Sequence, residues 1–237
     1  MKKNGIEVIS LSTFDEADVI QYFGIKPSIK ASNVYKDWEQ KAEQISLQKE
    51  ETKFLEGLQE KLIFYIRGWN ETELREKFIA QVLEKVNFDN PKLGIASFSE
   101  RFIEVEVKSK LLRGKTDWMV AKGWYKPESP FFFLHEYKKE KDSSNDPVGQ
   151  MLAAMYIAKL LNHKKQKPTL FDTQGQDFKN VPVFGTYILG RFWFFSHLEE
   201  KQYFISKAYD STKVEDLYFI FRMLKAQKNM IFALVEN

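Results

Sequence analysis

Three residues could do chemistry together if the fold gathers them: Asp117, Glu136 and Lys138. Glu136 and Lys138 end a run that opens Phe131-Phe132-Phe133-Leu134, and two positions apart on a strand their side chains leave the same face. Asp117 precedes Glu136 by nineteen residues, room for a strand, a loop and a return. Neighbouring strands lie ~4.8 Å apart, so the two carboxylates can approach as two oxygen ligands of one ion would. A metal relieves the repulsion of such a pair, and an adjacent lysine can orient an attacking water or stabilise phosphate charge. The competing reading is a strand exit into solvent, with Glu136 and Lys138 paired to each other.

Glu71 is a plausible third acid. Asn70-Glu71-Thr72-Glu73 reads as a helix start, with Asn70 as cap and Glu73 reaching back to complete a capping box. The helix that follows is expected to bury Phe78, Ile79, Val82, Leu83 and Val86, and stepping back along that face reaches Arg75 and then Glu71 or Thr72. Glu71 then sits near the edge of the buried face, whereas Glu73 and Glu76 point away. An acid in a first turn also stabilises the helix dipole, which is the simpler account of Glu71.

Basic residues bracket these acids in three groups: Lys108, Lys110, Arg113 and Lys115; Lys138, Lys139 and Lys141; Lys164, Lys165 and Lys167. Singly each group reads as a solvated loop or helix end; together they favour a bound polyanion. Lys115, two before Asp117 on the same strand face, is a candidate phosphate contact, and Arg113, Lys164 and Lys165 are candidate nucleic-acid backbone contacts. The net charge of +3 alone says little about partners.

Composition narrows the chemistry. With no cysteine there are no disulfides, thiolate metal sites or cysteine nucleophile. His135, His163 and His197 are too scattered for a multi-histidine zinc site, so carboxylate-bound Mg²⁺ or Mn²⁺ fits better. At 43% hydrophobic and 15% aromatic, 237 residues can fill a sizeable core. Charges break every window long enough to span a bilayer, and a soluble, cytoplasmic protein is expected.

The elements that must position these residues follow from periodicity. A short helix is expected over 14–23, and Lys-, Glu- and Leu-rich 32–66 reads as one long helix or two joined near 48–53, either packed along the core or pairing two copies into a homodimer. Strands are expected over 98–107, 116–121 and 131–138. Asp146-Pro147 opens a helix carrying Gln150 in its first turn and running to about Leu161. Strands at 181–189, 191–197 and 203–208 precede a last helix opened by Asp210-Ser211-Thr212. That order suggests an α/β sandwich, a central mixed sheet with helices on both sides. Residues 1–68 read as an N-terminal arm and helical extension, and 69–237 as the core.

Asp117, then Glu136-x-Lys138, in a helix, three-strand, helix order resembles the PD-(D/E)xK nuclease superfamily of restriction endonucleases and recombination nucleases, over roughly 70–198. The run Asn70-Glu71-(x3)-Arg75-(x2)-Phe78-Ile79-(x3)-Leu83 resembles the opening helix of type I restriction enzyme nuclease domains, in which the glutamate matching Glu71 belongs to the site. Gln150 is similar to the motif glutamine of recombination-type nucleases, although the tyrosine expected four residues later is Ala154, with Tyr156 beyond. Thr116 stands where the superfamily places proline. Glu136-Tyr137-Lys138 followed by 146–155 is also similar to uncharacterised bacterial members.

The resemblance implies a restriction-endonuclease-like three-layer sandwich and a Mg²⁺- or Mn²⁺-dependent nuclease cutting nucleic acid, DNA by the family likeness, in restriction, defence or repair. Asp117 and Glu136, with Glu71 directly or through water, would hold the metal. Lys138 would orient the attacking water, and Gln150 would hold the lysine or a phosphate oxygen. The alternative is an inactive nuclease-fold module for nucleic-acid binding or protein assembly, since fold does not imply function.

Overall fold

Capping chemistry sets the helix boundaries. A computed structural model describes residues 2–3, 6–107, 109–138, 147–163 and 182–236. Asp15 and Asp18 close a capping box at the start of α1 (Glu16–Phe23), and Ser32 accepts from the Tyr35 N–H at the start of α2 (Asn33–Glu43). Gln48 and Glu51 cap α3 (Lys49–Tyr65). Residues 32–66 are thus two helices, parted at 44–48.

Asn70 and Glu73 form the expected capping box at α4 (Glu71–Leu74). The helix continues through a π-helical turn, Arg75–Ile79, into α5 (Ala80–Val86). On the far side of the chain, α6 (Pro147–His163) and α7 (Val214–Glu236) complete the helices.

The strands are β1 (Lys2–Lys3), β2 (Ile6–Ser10), β3 (Lys26–Pro27), β4 (Ile95–Val107), β5 (Lys110–Lys122), β6 (Glu128–Lys138), β7 (Val183–Leu189), β8 (Phe192–Glu199), β9 (Gln202–Ile205) and β10 (Tyr209–Asp210). They form one mixed sheet in the order β1-β2-β5-β6-β7-β8-β9-β3, with β4 paired to β5 and β10 to β8. The pairing of β6 with β7 is parallel and the connection between them contains α6, as a parallel pair requires a crossover.

β5 organises the sheet. β4 covers one edge along nearly its whole length, from Lys110 to Lys122. The other edge is shared in tandem: β2 runs parallel to Lys110–Arg113, and β6 runs antiparallel to Trp118–Lys122. Residues 114–117 lie between these two partners. Gly114 is required there by packing, because a Cβ would fall 2.4–2.6 Å from the side chain of Leu11.

Helices cover both faces. On one, α1 and α6 enclose Phe131, Leu134, Met119, Met151, Leu152 and Met155. On the other, α2, α3, α5 and α7 enclose Trp38, Trp118, Phe133, Phe195 and Phe221. Trp38 stands edge-on to Phe133, Phe184 and Phe195 and donates its indole N–H to the Met223 carbonyl at 2.8 Å.

The segment 1–68 packs with the rest of the chain: β2 joins the sheet, and Tyr35, Trp38, Ala42, Leu55, Leu58 and Leu62 share one core with Phe133 and Leu224, so 32–66 packs along the core. At the end of α3, Ile63, Phe64 and Tyr65 stay exposed. Among the described residues, no helix is long and apolar enough to cross a membrane.

Candidate metal and phosphate site

The site forms where β5 and β6 part. The last paired rung is Trp118 opposite His135, so Asp117 and Glu136 lie one step beyond, on strands no longer joined by ladder bonds. The freed backbone is satisfied by a side chain, as the Asp117 carboxylate accepts from the Tyr137 N–H at 2.9 Å. Asp117 is held at the mouth of the strand pair by the geometry that ends the pairing.

Glu136 is 3% exposed and faces Asp117. Its carboxyl lies within hydrogen-bonding reach of the Asp117 side chain and accepts from the Asp117 N–H. Burial, then the neighbouring Asp117 charge, push its pKa well above the ordinary glutamate range, and Lys138 only partly offsets them. Two carboxyls so placed hold a proton between them when no cation is present, and a divalent ion can take that proton's place.

Lys138 extends from the same strand, its side chain 16% exposed, and pairs with Glu71 at 3.7 Å. Glu71 comes from the first turn of α4, fixed by the Asn70 cap. The structure thus brings Glu71 to Lys138, and Glu136 to Asp117, at one end of the β5–β6 pair.

A cleft of about 260 Å³ opens beside Asp117. Its helical wall is the π-helical turn and α5, through Arg75, Glu76, Ile79 and Leu83; its sheet wall is Ser99, Glu100, Asp117, Trp118 and Tyr137. A π-helical turn widens the helix locally and is frequent at functional sites. Glu76 stays solvent-exposed, as the helix periodicity suggested, at the rim of this cleft and 3.9 Å from Arg75.

Glu100 faces the same cleft and was not singled out in the sequence. It sits between the rungs Ser99–Trp118 and Arg101–Thr116, directly across from Asp117, with a positive φ of 54°. One carboxylate oxygen accepts from Arg75 and the other from Lys115, each at 2.7 Å. Nothing in the alternation of 98–107 marks it; its place follows from the long-range register of β4 on β5.

The remaining expectations divide. Lys115 lies at the cleft through its bond to Glu100. Arg113 is ion-paired with Glu104 at 3.4 Å, and its guanidinium lies over the Phe102 ring at 4.2 Å. Gln150 donates to the Ser12 carbonyl at 3.5 Å, and among the described residues it has no bond to Lys138. Lys108, Lys139, Lys141, Asp146, Lys164, Lys165 and Lys167 lie outside the described residues.

A metal fits the Asp117–Glu136 pair by donor chemistry: two hard oxygen ligands, one buried and held beside its neighbour's charge. Among the described residues no group of three acids or histidines converges as a metal cage. Glu71 pairs with Lys138 beside the Asp117–Glu136 pair. Mg²⁺ commonly takes one or two carboxylates and keeps several waters, which suits this pair.

His135 and His197 are core residues, 0% and 1% exposed. His135 packs against Trp118 and Phe133, and burial lowers its pKa to about 3. Compared with known proteins, the chain matches no family model and no curated protein sequence.

Proposed function

We propose that this chain is a divalent-metal-dependent nuclease that hydrolyses phosphodiester bonds, of DNA in the first instance, on a restriction-endonuclease-like sandwich. One observation carries the reading: a buried glutamate and an aspartate share a strand divergence, and the lysine two residues on stands beside them. Burying a carboxyl against another carboxyl is costly, and a cation removes the cost. The resemblance of Asp117 and Glu136-x-Lys138 to PD-(D/E)xK nucleases supports the same assignment.

In this reading Asp117 and Glu136 would hold Mg²⁺ or Mn²⁺, which would supply Lewis-acid charge and lower the pKa of water. The Tyr137 N–H fixes the Asp117 carboxylate in its rotamer. Glu71 steadies the Lys138 ammonium, which orients the attacking water or neutralises the phosphoryl oxygen. Gln150 is a less direct participant, because its side chain is turned toward Ser12.

The test is cleavage of supercoiled plasmid and labelled duplex with Mg²⁺ or Mn²⁺. Wild type should cut. Asp117→Ala and Lys138→Ala should each lose on the order of a hundredfold or more in rate, while calorimetry finds Mn²⁺ binding lost in Asp117→Ala and retained in Lys138→Ala. Absence of cutting by folded wild type with either ion, together with no Mn²⁺ heat, would overturn the proposal.

A further inference from the structure

We propose that Arg75 and Lys115 form a backbone-phosphate clamp beside the metal pair, and that the Glu100 carboxylate occupies the phosphate position until nucleic acid displaces it. The inference rests on the nuclease reading in taking the ligand to be a phosphodiester of a nucleic-acid strand.

Three features of the contact support it. Each Glu100 oxygen takes a different cation, Arg75 Nη1 and Lys115 Nζ, both at 2.7 Å. Two non-bridging oxygens of a phosphodiester offer the same pair of acceptors to the same pair of donors. The cations also come from separate elements, the π-helical turn and β5, so they converge across the cleft without being neighbours in sequence.

The position is suited to a phosphate. Glu100 lies opposite Asp117 across the β4–β5 ladder and shares the cleft with it. A phosphate held by Arg75 and Lys115 would therefore lie one strand from the metal carboxylates. Bonds to Lys115 and then Arg75 hold the Glu100 carboxyl below the ordinary range, so it is an anion throughout the neutral range.

The contact is also able to open. The Glu100 side chain is 45% exposed, as is much of Lys115, and exposed ion pairs contribute little to stability. The backbone of Glu100 is left-handed, at φ 54°, a conformation non-glycine residues adopt at a cost. A polyanion that releases condensed counterions can displace such a carboxylate.

The experiment is fluorescence-anisotropy titration of labelled duplex and single-stranded oligonucleotides in EDTA, where neither cutting nor metal contributes, over a series of salt concentrations. Glu100→Gln should bind roughly tenfold tighter than wild type, with a log–log salt slope steeper by about one ion. Arg75→Ala and Lys115→Ala should each weaken binding, and adding Arg75→Ala to Glu100→Gln should cancel the gain. Glu84→Gln, which neutralises another acid of the same cleft, should change affinity less than about twofold.

Glu100→Asn provides a second uncharged variant tolerant of positive φ, should Glu100→Gln fold poorly. Folded Glu100→Gln or Glu100→Asn binding no tighter than wild type overturns the clamp, even if wild type cuts DNA. A gain equal to that of Glu84→Gln overturns it as well. A chain that fails to cut but gains affinity on losing Glu100 retains the clamp and loses the hydrolase reading.

Discussion

Glu136 is the residue of the candidate site whose environment ties it most strongly to protons, because it is buried against Asp117. Its folded pKa is raised, so the folded state favours the protonated form. Any stability that proton supplies is present at low pH and is lost as pH rises from the ordinary carboxylate value of 4.5 toward the raised one. In EDTA, Glu136→Gln should therefore unfold at higher urea than wild type at pH 8, with little difference at pH 4.5; an amide can donate to Asp117 where an ionised carboxyl cannot. Each unit of upward shift corresponds to about 1.4 kcal/mol. Mn²⁺ should raise the wild-type midpoint at pH 8 and leave the variant unchanged.

At this scale the sequence was informative for a physical reason. A carboxylate and an amine two apart at the end of an apolar run had to share a face, and the Asn70 box had to start a helix at Glu71. Glu100 was illegible because its partners, Arg75 and Lys115, are 25 and 15 residues away.

The elements that hold the site are fixed at their ends and at close approaches. Asn70 accepts from the Glu73 N–H at 2.9 Å, which sets where α4 begins and so where Glu71 meets Lys138. Asn70→Ala should cost about 1 kcal/mol, read from the urea midpoint, and should lower the cutting rate in proportion to the loosened Glu71–Lys138 pair. Gly149 lets α6 lie against the backbone of Phe14 and Asp15, where a Cβ would come within 2.4 Å of the Phe14 carbonyl oxygen. Backbone cannot turn aside as a side chain can. Gly149→Ala should therefore destabilise by roughly 1–3 kcal/mol, despite alanine's better helix propensity, as measured by thermal unfolding.

The longer helices and strands were legible from alternation, caps and Pro-Gly punctuation, and the break near 44–48 fell close to the polar interval that predicted it; β1, β2, β3 and β10 were not, because such short strands are selected by their distant partners. The π-helical turn was not. Its sequence, Arg75 to Ile79, reads as ordinary helix.

For the whole molecule, two buried titratable groups pull against each other. His135 is neutral in the core, with its pKa lowered to about 3. The unfolded chain takes up a proton near 6.5 and the folded one does not, so its contribution is complete above 6.5 and is lost as pH falls toward 3. The loss approaches about 1.4 kcal/mol for each pH unit below 6.5. His135→Leu should flatten the decline of the urea midpoint below pH 4.5, where the Glu136 term no longer opposes it, and Glu136→Gln should flatten the opposite decline above pH 6.5. Metal-free wild type should thus have a stability maximum between the two regimes, displaced upward in pH by Mn²⁺.

The tandem sharing of β5 also fixes an order of assembly. β2 must wait for Lys110–Arg113, synthesised about a hundred residues later, and β6 closes against β7 only after α6 has crossed the sheet. Contacts so distant along the chain make for slow folding. The β2–β5 and β6–β7 pairings are therefore expected among the last completed, and a stopped-flow refolding experiment should find a slow phase after most helical signal has returned. The N-terminal strand would then be tied in late in the life of each new chain, after the sheet that it joins.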